Sequence, residues 1–247
     1  WKMAEEKYCN ESENIVVVTE LAKNELIQRV KLNKEKIVVF SNTVSKSFYI
    51  DYKLDNAIIK RYSDSFVLLY LGNTSKRRGL KTVLNSIPEL IKSIPNFKFV
   101  IVGCSSYDNE LKRIVENYKI SKYVDFEGWK SEDLFPSYIK AAKLGVSPLH
   151  KNIHHDTTYA NKIFQYMSLG CPILCSDVKA QVLLLDTYKV GLLFESENVS
   201  DFKNKILKLF NDSNLVLQFS DNCINSINNH LNNDIISKDL VNYYEKK

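Results

Sequence analysis

Hydrophobic residues along the chain fall in short continuous runs, separated by longer stretches in which apolar residues recur every three or four positions. Such runs are typical of strands buried on both faces, and the periodic stretches are typical of amphipathic helices. Predicted strands cover residues 15–19, 37–40, 66–71, 97–102, 123–126, 144–147, 172–175 and 190–194. Predicted helices cover residues 20–32, 80–93, 109–118, 132–142, 162–169 and 180–185. This alternation predicts an α/β fold with a doubly wound parallel sheet, whose strand carboxyl ends share one ligand-binding edge.

The seven glycines divide the chain, because all of them lie between residues 72 and 191. Gly72, Gly103 and Gly128 each end a predicted strand. A glycine there lets the backbone approach a ligand, although ordinary turn chemistry explains each of them equally well. Their confinement to one block predicts a single ligand-binding domain. The predicted segments are a β-α-β remnant, a polar linker, the ligand-binding domain and a helical tail, at residues 1–45, 46–65, 66–222 and 223–247.

Composition limits the classes of function. The 247 residues are 45% hydrophobic, enough for the core of one large domain or of one and a half smaller ones. The formal net charge of +5 permits weak attraction to anionic ligands or membranes but gives no reason to expect a nucleic-acid partner. No apolar stretch is long enough to cross a membrane, and no secretory signal is visible. Because the chain starts abruptly at Trp1, we expect further sequence upstream of it.

The cysteine pattern does not indicate a metal site. The chain has five cysteines, and Cys171 and Cys175 lie on a predicted buried strand without a second pair nearby. A zinc site needs two such pairs or histidines at matching spacing. Reduced, packed thiols of a cytosolic protein are therefore the expected state.

The most informative segment covers residues 161–177 and has the sequence NKIFQYMSLGCPILCSD. Its pattern predicts a short helix that ends at Gly170, where glycine can take a positive φ, and then a buried strand after Pro172. A polar helix N-terminus beside the end of a parallel strand is where α/β folds hold phosphates. The segment resembles the N-K-hydrophobic-F-E-Y-M-small-x-G-x-P-hydrophobic motif of the retaining glycosyltransferases of family 4. The segment differs from the motif at one position, where this chain has Gln165 and the family usually has Glu.

The resemblance implies an α/β GT-B fold in which this segment belongs to the sugar-nucleotide site. Residues 66–222 would then form a Rossmann-like parallel-sheet donor domain, and residues 1–45 the C-terminal remnant of a partial N-terminal acceptor domain. Residues 46–65 would be the interdomain linker. The tail at 223–247 is expected to pack back on the N-terminal domain, a docking for which Tyr243 and its tyrosine neighbour are suited.

A basic loop follows the first strand of the predicted donor domain. Lys76, Arg77 and Arg78 stand in succession before a glycine and a helix, an arrangement suited to a pyrophosphate. The resemblance makes Arg78 the catalytic cation that neutralises the diphosphate leaving group. Asn73 replaces the arginine that the family usually has, and Lys76 or Arg77 is expected to take over its role, with Lys76 counted as catalytic. A solvated basic turn is the alternative interpretation.

The resemblance also implies the other donor-binding residues. In the relatives, backbone groups just after a strand end pair with the nucleobase, so Gly128 and Trp129 are candidates for base recognition by hydrogen bonds and stacking. Packing over the strand end explains Trp129 equally well. The remaining donor-binding residues implied by the resemblance are Gly72, Asn73, Arg77, Gly103, Asn161, Lys162 and Gln165.

The carboxylate pair of the family, E-x7-E, has no carboxylate in this chain. The resemblance aligns its first Glu, which meets the donor sugar, with Thr157, and its second, which meets the ribose hydroxyls, with Gln165. Thr157 is therefore a candidate catalytic residue without charge, and the Gln165 amide can still bond a ribose diol. We expect Gln165→Glu to strengthen donor binding. Asp156, next to Thr157, is an alternative carboxylate.

The cluster His154, His155 and Asp156 raises the question of a metal. Adjacent histidines on an extended loop point in different directions, so they do not readily bind one ion, and a polar loop near the donor is the expected role. The resemblance implies neither a metal nor a cofactor, since the nucleotide diphosphate sugar is a substrate.

By the resemblance, the full protein is a hexosyltransferase that moves a sugar from a nucleotide diphosphate sugar to a glycan or lipid-linked acceptor with retention of anomeric configuration. This chain alone is expected to be inactive, because the glycine loop and histidine of the acceptor domain are absent from it. The expected location is cytoplasmic, with peripheral contact at the inner face of the membrane. Two alternatives stay open. One is a catalytically inactive sugar-nucleotide-binding homologue, which Thr157 and Gln165 favour; the other is a GT-B sugar-nucleotide epimerase, which the missing acids disfavour.

Overall fold

The computed structural model describes residues 2–245 and, apart from positions 2, 46, 47 and 239, their side chains. The first part of the chain is a small α/β unit made of α1 (Lys2–Glu11), β1 (Ile15–Val17), α2 (Glu20–Val30) and β2 (Ile37–Val39). The two strands pair in parallel. A small core joins the unit through Leu26, Leu32 and Ile37.

Two short helices, α3 (Lys46–Tyr49) and α4 (Asn56–Tyr62), lead into a six-stranded parallel sheet. Its strands are β3 (Phe66–Leu71), β4 (Phe97–Val102), β5 (Val124–Gly128), β6 (Leu144–Ser147), β7 (Ile173–Ser176) and β8 (Gly191–Phe194). The spatial order is β5-β4-β3-β6-β7-β8, so the chain reverses its direction of winding between β3 and β6. The carboxyl ends of these two strands therefore border the crevice in which doubly wound sheets bind ligands.

Helices cover both faces of this sheet. The helices that follow β3 are α5 (Leu80–Ser93), α6 (Asp108–Asn117), α7 (Phe135–Ala141), α8 (Ile153–Thr157), α9 (Asn161–Ser168), α10 (Lys179–Tyr188), α11 (Val199–Asn211), α12 (Ser213–Asn229) and α13 (Asn233–Glu245). Alternate residues of a strand point to opposite faces. In β3, Leu68 and Tyr70 join a core with α5, α6 and α11, whereas Leu69 and Leu71 join a core with α7, α9 and α10. Burial on both sides explains why the strands are apolar at nearly every position.

The predicted strands agree with the structure. Strands 66–71, 97–102 and 144–147 have the predicted bounds, and the other five differ by two positions or fewer. The helices α1, α3, α4 and α8 lie in segments where the sequence pattern predicts none. They are short or polar on most faces, and capping contributes more than an apolar stripe: the Asp55 side chain, for instance, accepts hydrogen bonds from two N–H groups at the start of α4. The predicted helix 132–142 also begins later, since residues 132–134 form a 3₁₀ turn before α7.

The C-terminal part forms the three helices α11 to α13. The expected domain boundary at 222/223 falls inside α12, which continues without a break to Asn229. The chain then turns, and α13 runs back to the N-terminal unit, where the Tyr243 hydroxyl lies 2.8 Å from Asn14 Oδ1 and 3.1 Å from the Glu35 carbonyl oxygen. Among the helices of the described residues, none has the length and apolarity needed to cross a membrane.

Candidate functional site

A cleft of about 310 Å³ opens at the carboxyl end of β3, where the strand order reverses. We call it the switch-point cleft. Its walls come from the loop after β3, from α7 and α8, and from the first turns of α9. Residues expected from the sequence to bind the donor or to act in catalysis that line this cleft are Gly72, Asn73, Arg78, Asn161, Lys162 and Gln165.

A second cleft, of about 330 Å³, adjoins the first across the loop after β3. Gly72, Asn73 and Phe135 line both clefts, so the two form one continuous groove along the sheet edge. The second part, which we call the outer cleft, is also lined by Gly103 after β4 and Trp129 after β5. The groove thus passes the ends of three neighbouring strands and has the shape needed for an elongated ligand.

Two glycines allow the loops that form the wall of the groove to pack closely against each other. A Cβ on Gly79 would lie 1.6 Å from the Pro148 carbonyl oxygen, and a Cβ on Gly103 would lie 2.0 Å from the Gly72 carbonyl oxygen. Both residues also have a positive φ, +76° and +131°, which side chains disfavour. The loops after β3, β4 and β6 therefore meet backbone to backbone, and no other residue type fits at these two positions.

Lys162 lies in the first turn of α9 and is only 7% exposed. Its Nζ is 3.6 Å from the centroid of the Tyr70 ring, a cation–π contact. Burial lowers the pKa of this amine well below the usual lysine value, and the charge of Arg78 lowers it further. No carboxylate in the described part of the chain offsets these effects. A bound anion would raise the pKa of this amine again, so that the amine would take up a proton from solvent and pair with the anion.

Arg78 is the second cation of the switch-point cleft. It ends a 3₁₀ turn just before Gly79, and its buried Nε has no hydrogen-bond partner within the described residues. At the same edge, α9 begins after Ala160, which provides no side-chain cap, although its carbonyl oxygen accepts a hydrogen bond from the Ile163 N–H at 3.0 Å. A guanidinium, a buried amine and a helix N-terminus without a side-chain cap together suit a phosphate or diphosphate.

Helix α8 changes the interpretation of Thr157. The Thr157 hydroxyl donates to the Ile153 carbonyl oxygen at 2.7 Å, and the residue does not line the switch-point cleft. The catalytic role predicted for Thr157 therefore has no support in this arrangement. The sequence pattern suggested an extended loop here, but the Asn152 side chain caps a helical turn that rotates Thr157 away from the cleft.

The neighbouring His155 lines the cleft instead and is 1% exposed. Its Nδ1 lies 2.7 Å from the His150 carbonyl oxygen and 2.8 Å from the Asn152 side-chain nitrogen, so this nitrogen is engaged within the fold. Burial lowers the pKa of His155, although this backbone hydrogen bond opposes the effect. The ring is therefore neutral at neutral pH. Its Nε2 is buried without a partner in the described structure, and His154 and Thr158 also line this part of the cleft.

Gln165 points to a carboxylate that the sequence did not suggest. The Gln165 Nε2 donates to Glu132 Oε1 at 2.9 Å, across 33 positions of sequence. Gln165 itself is 9% exposed and lines the switch-point cleft. Glu132 begins the turn that leads into α7. A carboxylate is thus present beside this edge of the cleft, although neither position of the expected E-x7-E pair is acidic.

Of the remaining predicted residues, Lys76, Arg77 and Gly128 do not line the groove, whereas Trp129 does. Lys76 lines a different cleft, of about 610 Å³, on the other side of its loop. Arg77 is exposed, and its carbonyl oxygen accepts a hydrogen bond from the His150 N–H at 3.1 Å. The Gly128 carbonyl oxygen accepts from the Gly103 N–H at 2.7 Å and is used within the sheet edge. Trp129 lines the outer cleft, and at 76% exposure it is not packed over the strand end.

A polar network lies directly behind Trp129. Tyr138 donates to Glu127 Oε2 at 2.6 Å and Tyr62 to Glu127 Oε1 at 3.2 Å, while Arg61 also donates to this carboxylate. Burial would raise the pKa of Glu127, but these hydrogen bonds and the charge of Arg61 outweigh it and keep the pKa below its usual value. The network joins α4 and α7 to the end of β5, so it fixes the strand end from which Trp129 projects.

No group of three or more His, Cys, Asp or Glu side chains within the described residues is arranged to hold a metal ion. Asp156, the alternative carboxylate considered from the sequence, accepts a hydrogen bond from the Lys179 N–H at 3.0 Å. This contact joins α8 to the start of α10, so the Asp156 carboxylate serves as a hydrogen-bond acceptor between the two helices.

Phe135, Thr158 and Tyr159 line the groove, and Tyr70 and Glu132 contact residues that line it, although none of the five was expected from the sequence. Tyr70 could have been found, because it is the one polar-tipped side chain in the strand run FVLLYL just before Gly72. For Glu132 and Phe135 no local signal exists, since the contact of Glu132 with Gln165 and the place of Phe135 in the groove depend on how α7 packs.

Comparison with known sequences identifies relatives of the chain. The family described as Glycosyl transferases group 1 matches residues 51–226, well over half of the chain. The capsular polysaccharide biosynthesis glycosyltransferase CapM from Staphylococcus aureus is 22% identical over 244 residues, covering 94% of this chain and 61% of that protein. The UDP-Gal:alpha-D-GlcNAc-diphosphoundecaprenol alpha-1,3-galactosyltransferase from Escherichia coli is 25% identical over 182 residues, covering 72% of this chain and 45% of that protein.

Solved structures show the same fold. Sucrose-phosphate synthase from Thermosynechococcus elongatus matches with a TM-score of 0.84 at 16% identity, covering 99% of this chain and 60% of that one. Anabaena Alr3699/HepE, solved in complex with UDP and glucose, matches with a TM-score of 0.82 at 14% identity, covering 96% of this chain and 64% of that one. The fold is therefore α/β of the GT-B type, and this chain spans less than two thirds of the length of these proteins. With most of its sequence matched, the chain belongs to the glycosyl transferases group 1 family.

Proposed function

We propose that the groove binds a nucleotide diphosphate sugar, and that the whole protein transfers the hexosyl group to a glycan or lipid-linked acceptor with retention of anomeric configuration, as in family 4. The observation that supports this most is the pair of basic side chains, Lys162 and Arg78, at the point where the strand order reverses. Keeping the buried Lys162 amine charged without a counter-ion is costly, and a bound diphosphate would offset that cost while pairing with the half-buried Arg78.

The same two cations explain how the chain would assist the reaction. When the bond between the anomeric carbon and the phosphate oxygen breaks, negative charge builds up on the departing diphosphate. Lys162, Arg78 and the N-terminus of α9 are fixed in a partly buried cleft, so they stabilise that charge more strongly in the transition state than in the bound substrate. Lys76 is directed away from the cleft and has no part in this mechanism.

The remaining lining residues suggest where the rest of the donor would lie. The sugar would lie toward α8, where His155 and Thr158 offer polar atoms. The nucleobase would lie in the outer cleft against Trp129, whose exposed ring is free to stack. No metal and no cofactor is required in this scheme, since the charge on the diphosphate is balanced by side chains.

The class of acceptor is proposed from the relatives. CapM is named for capsular polysaccharide biosynthesis, and the Escherichia coli relative is named for a substrate linked through diphosphate to undecaprenol. A lipid-linked substrate would bring the protein to a membrane surface, so we extend the proposal to a cytoplasmic enzyme in peripheral contact with the inner face of the membrane.

Nucleotide binding tests the proposal on the chain as it is. We expect UDP, GDP or ADP to raise the melting temperature, since a ligand at 100 times its dissociation constant adds about 2.7 kcal/mol to the free energy of unfolding. Arg78→Gln should weaken this stabilisation, whereas Arg113→Gln, an exposed arginine on α6, should leave it unchanged. No shift with any of the three nucleotides, or equal shifts in both variants, would contradict the proposed site.

Gln165 supports a second candidate, a catalytically inactive homologue that binds the donor without transferring it, because both positions of the expected carboxylate pair lack an acid. Turnover by the full-length protein distinguishes the two. Release of nucleoside diphosphate from a donor that binds, in the presence of a membrane extract containing lipid-linked acceptors, would support the transferase. Tight binding without release under the same conditions would support the inactive homologue.

A further inference from the structure

We infer that Tyr70 is a positioning residue of the groove, since its ring holds the Lys162 amine and its hydroxyl holds the loop that follows β3. Tyr70 is fully buried and lines neither the switch-point cleft nor the outer cleft, so it acts through these neighbours without touching a ligand. The inference rests on the proposed function, because it adds a residue that prepares the same groove for a diphosphate.

The contact between Lys162 and the Tyr70 ring crosses the end of β3. Tyr70 points into the core shared with α5, α6 and α11, whereas α9, which carries Lys162, packs on the opposite face of the sheet. The Lys162 side chain therefore passes the strand end beside Gly72, where a Cβ would lie 3.6 Å from its Cε and from its Nζ. The Nζ comes to lie 3.6 Å from the centroid of the ring.

This contact orders a side chain that would otherwise be flexible. A lysine that becomes fixed only when the ligand arrives weakens binding, because its conformational entropy is then lost in the binding step. The face of an aromatic ring attracts an ammonium, so Tyr70 holds the amine in place in the free protein. Since the charge of Arg78 disfavours the charged amine, a contact that attracts it helps to keep both basic groups at one site.

The hydroxyl of Tyr70 fixes the loop on the other side of the cleft. It donates to the Asn73 carbonyl oxygen at 2.5 Å, and burial raises the pKa of Tyr70 far above the usual tyrosine value, so the hydroxyl keeps its proton. The Asn73 side chain in turn accepts a hydrogen bond from the Ser75 N–H at 2.9 Å. Because Gly72 and Asn73 line both clefts, one buried tyrosine joins the loop after β3 to the start of α9.

A purely structural role is the alternative, because Tyr70 also fills space in the core between β3 and α5. Substitution of a residue that only fills space should lower the stability without a specific effect on binding. Phe99 provides the matched control, since it is fully buried in the same core, lies on the neighbouring strand β4 and lines neither cleft.

Nuclear magnetic resonance tests the ring contact in the wild type, and its result does not depend on a destabilised variant. Protons above the face of an aromatic ring are shielded, so in protein labelled with ¹³C-lysine one ε-CH₂ signal should lie upfield of the others. This signal should be lost in Lys162→Met and retained in Tyr70→Phe, which keeps the ring. A wild-type spectrum in which Lys162→Met removes only an unshifted signal would overturn the inference.

Calorimetry then tests whether Tyr70 matters for binding, with whichever of UDP, GDP and ADP binds the wild type. Tyr70→Phe should weaken binding about threefold, because the hydrogen bond to the loop is lost. Tyr70→Leu should weaken it about fivefold more, because the ligand must then order the lysine. Phe99→Leu should lower the melting temperature and leave the affinity unchanged. When combined with Lys162→Met, Tyr70→Phe and Tyr70→Leu should bind equally, because the ring acts through the amine.

Three outcomes would overturn the inference alone, since the wild type would still bind a nucleotide. They are an unchanged affinity in Tyr70→Phe, equal affinities of Tyr70→Phe and Tyr70→Leu in the presence of Lys162, and an additional loss in Tyr70→Leu that persists with Lys162→Met. Absence of binding by the wild type to all three nucleotides would overturn the proposed function as well.

Discussion

The two ends of the groove differ in how deeply their candidate binding residues are buried. In the switch-point cleft, Lys162 is 7% exposed and no carboxylate of the described residues pairs with it, so burial lowers the pKa of the amine in the free protein. In the outer cleft, Trp129 is 76% exposed and makes its contribution on the surface, above a strand end fixed by the Glu127 network. The buried amine is expected to lower the free energy of unfolding of the free protein, whereas the exposed ring is expected to leave it nearly unchanged.

Because of this difference, the switch-point cleft should lower the stability of the free protein while it raises the affinity for a ligand, and the outer cleft should not. A buried charge that awaits an anion destabilises the free protein and strengthens binding, because the ligand removes the electrostatic penalty. An exposed aromatic ring adds affinity through stacking while leaving the free energy of unfolding almost unchanged. A substitution of the buried amine should therefore change both the free energy of unfolding and the affinity, whereas a substitution of the exposed ring should change the affinity alone.

The largest effect is expected from Lys162→Met. Loss of the amine should weaken nucleoside diphosphate binding by about 3 kcal/mol, roughly 100-fold, as for other buried charge contacts. The free energy of unfolding of the free protein should rise by about 1 kcal/mol, because methionine fills the same space without a charge. Urea unfolding and calorimetry measure the two changes.

The matched control is Lys208→Met, at an exposed position on α11. It should change neither quantity. A loss of stability in Lys162→Met would show that its alkyl chain and its contact with Tyr70 matter more than the buried charge, and the contrast between the two ends of the groove would then fail.

A dependence of binding on pH is the next effect. Burial lowers the pKa of Lys162 in the free protein, and a bound diphosphate would raise it again. Below both values the amine is protonated in both states and affinity is highest. Between them binding takes up a proton, so affinity falls as the pH rises, by at most about tenfold per pH unit. Above both values the dependence ends.

Calorimetry in Tris and in HEPES, at a pH where the nucleotide is fully ionised, measures this proton uptake from the difference in apparent enthalpy. Lys162→Met should lose the difference between buffers. Equal proton uptake in wild type and in the variant would assign the titration to another group, and would remove the evidence that the switch-point cleft holds an amine of lowered pKa.

The fold could be predicted from the sequence because its strands are buried on both faces. Runs such as 66–71 and 97–102 are apolar throughout, and their bounds follow from that alone. The meeting of Arg78 and Lys162 in one cleft was also predictable, since both residues lie within a turn of a helix start and depend on local sequence. The small helices α1 and α8 were not, because capping and tertiary contacts stabilise them without an apolar period.

The contact between Gln165 and Glu132 could not be predicted for a different reason. Gln165 and Glu132 are 33 residues apart, and nothing in either local sequence indicates that α7 and α9 meet there. Thr157 shows the converse error. Its spacing from Gln165 matched a motif, but the turn of α8 directs its hydroxyl to Ile153, so spacing along the chain did not determine position in the cleft.

The smallest effect, and the one that completes the contrast, is expected from Trp129→Ala. Loss of base stacking should weaken nucleotide binding by about 1 kcal/mol, roughly fivefold, and binding of pyrophosphate, which has no base, should not change. The free energy of unfolding should stay the same, because the ring is 76% exposed. Tyr118→Ala, at an exposed aromatic residue after α6 and outside the groove lining, is the control. If Trp129→Ala weakened nucleotide and pyrophosphate binding equally, the ring would act by shaping the loop after β3 and not by contacting a base, and the two ends of the groove would be one coupled site.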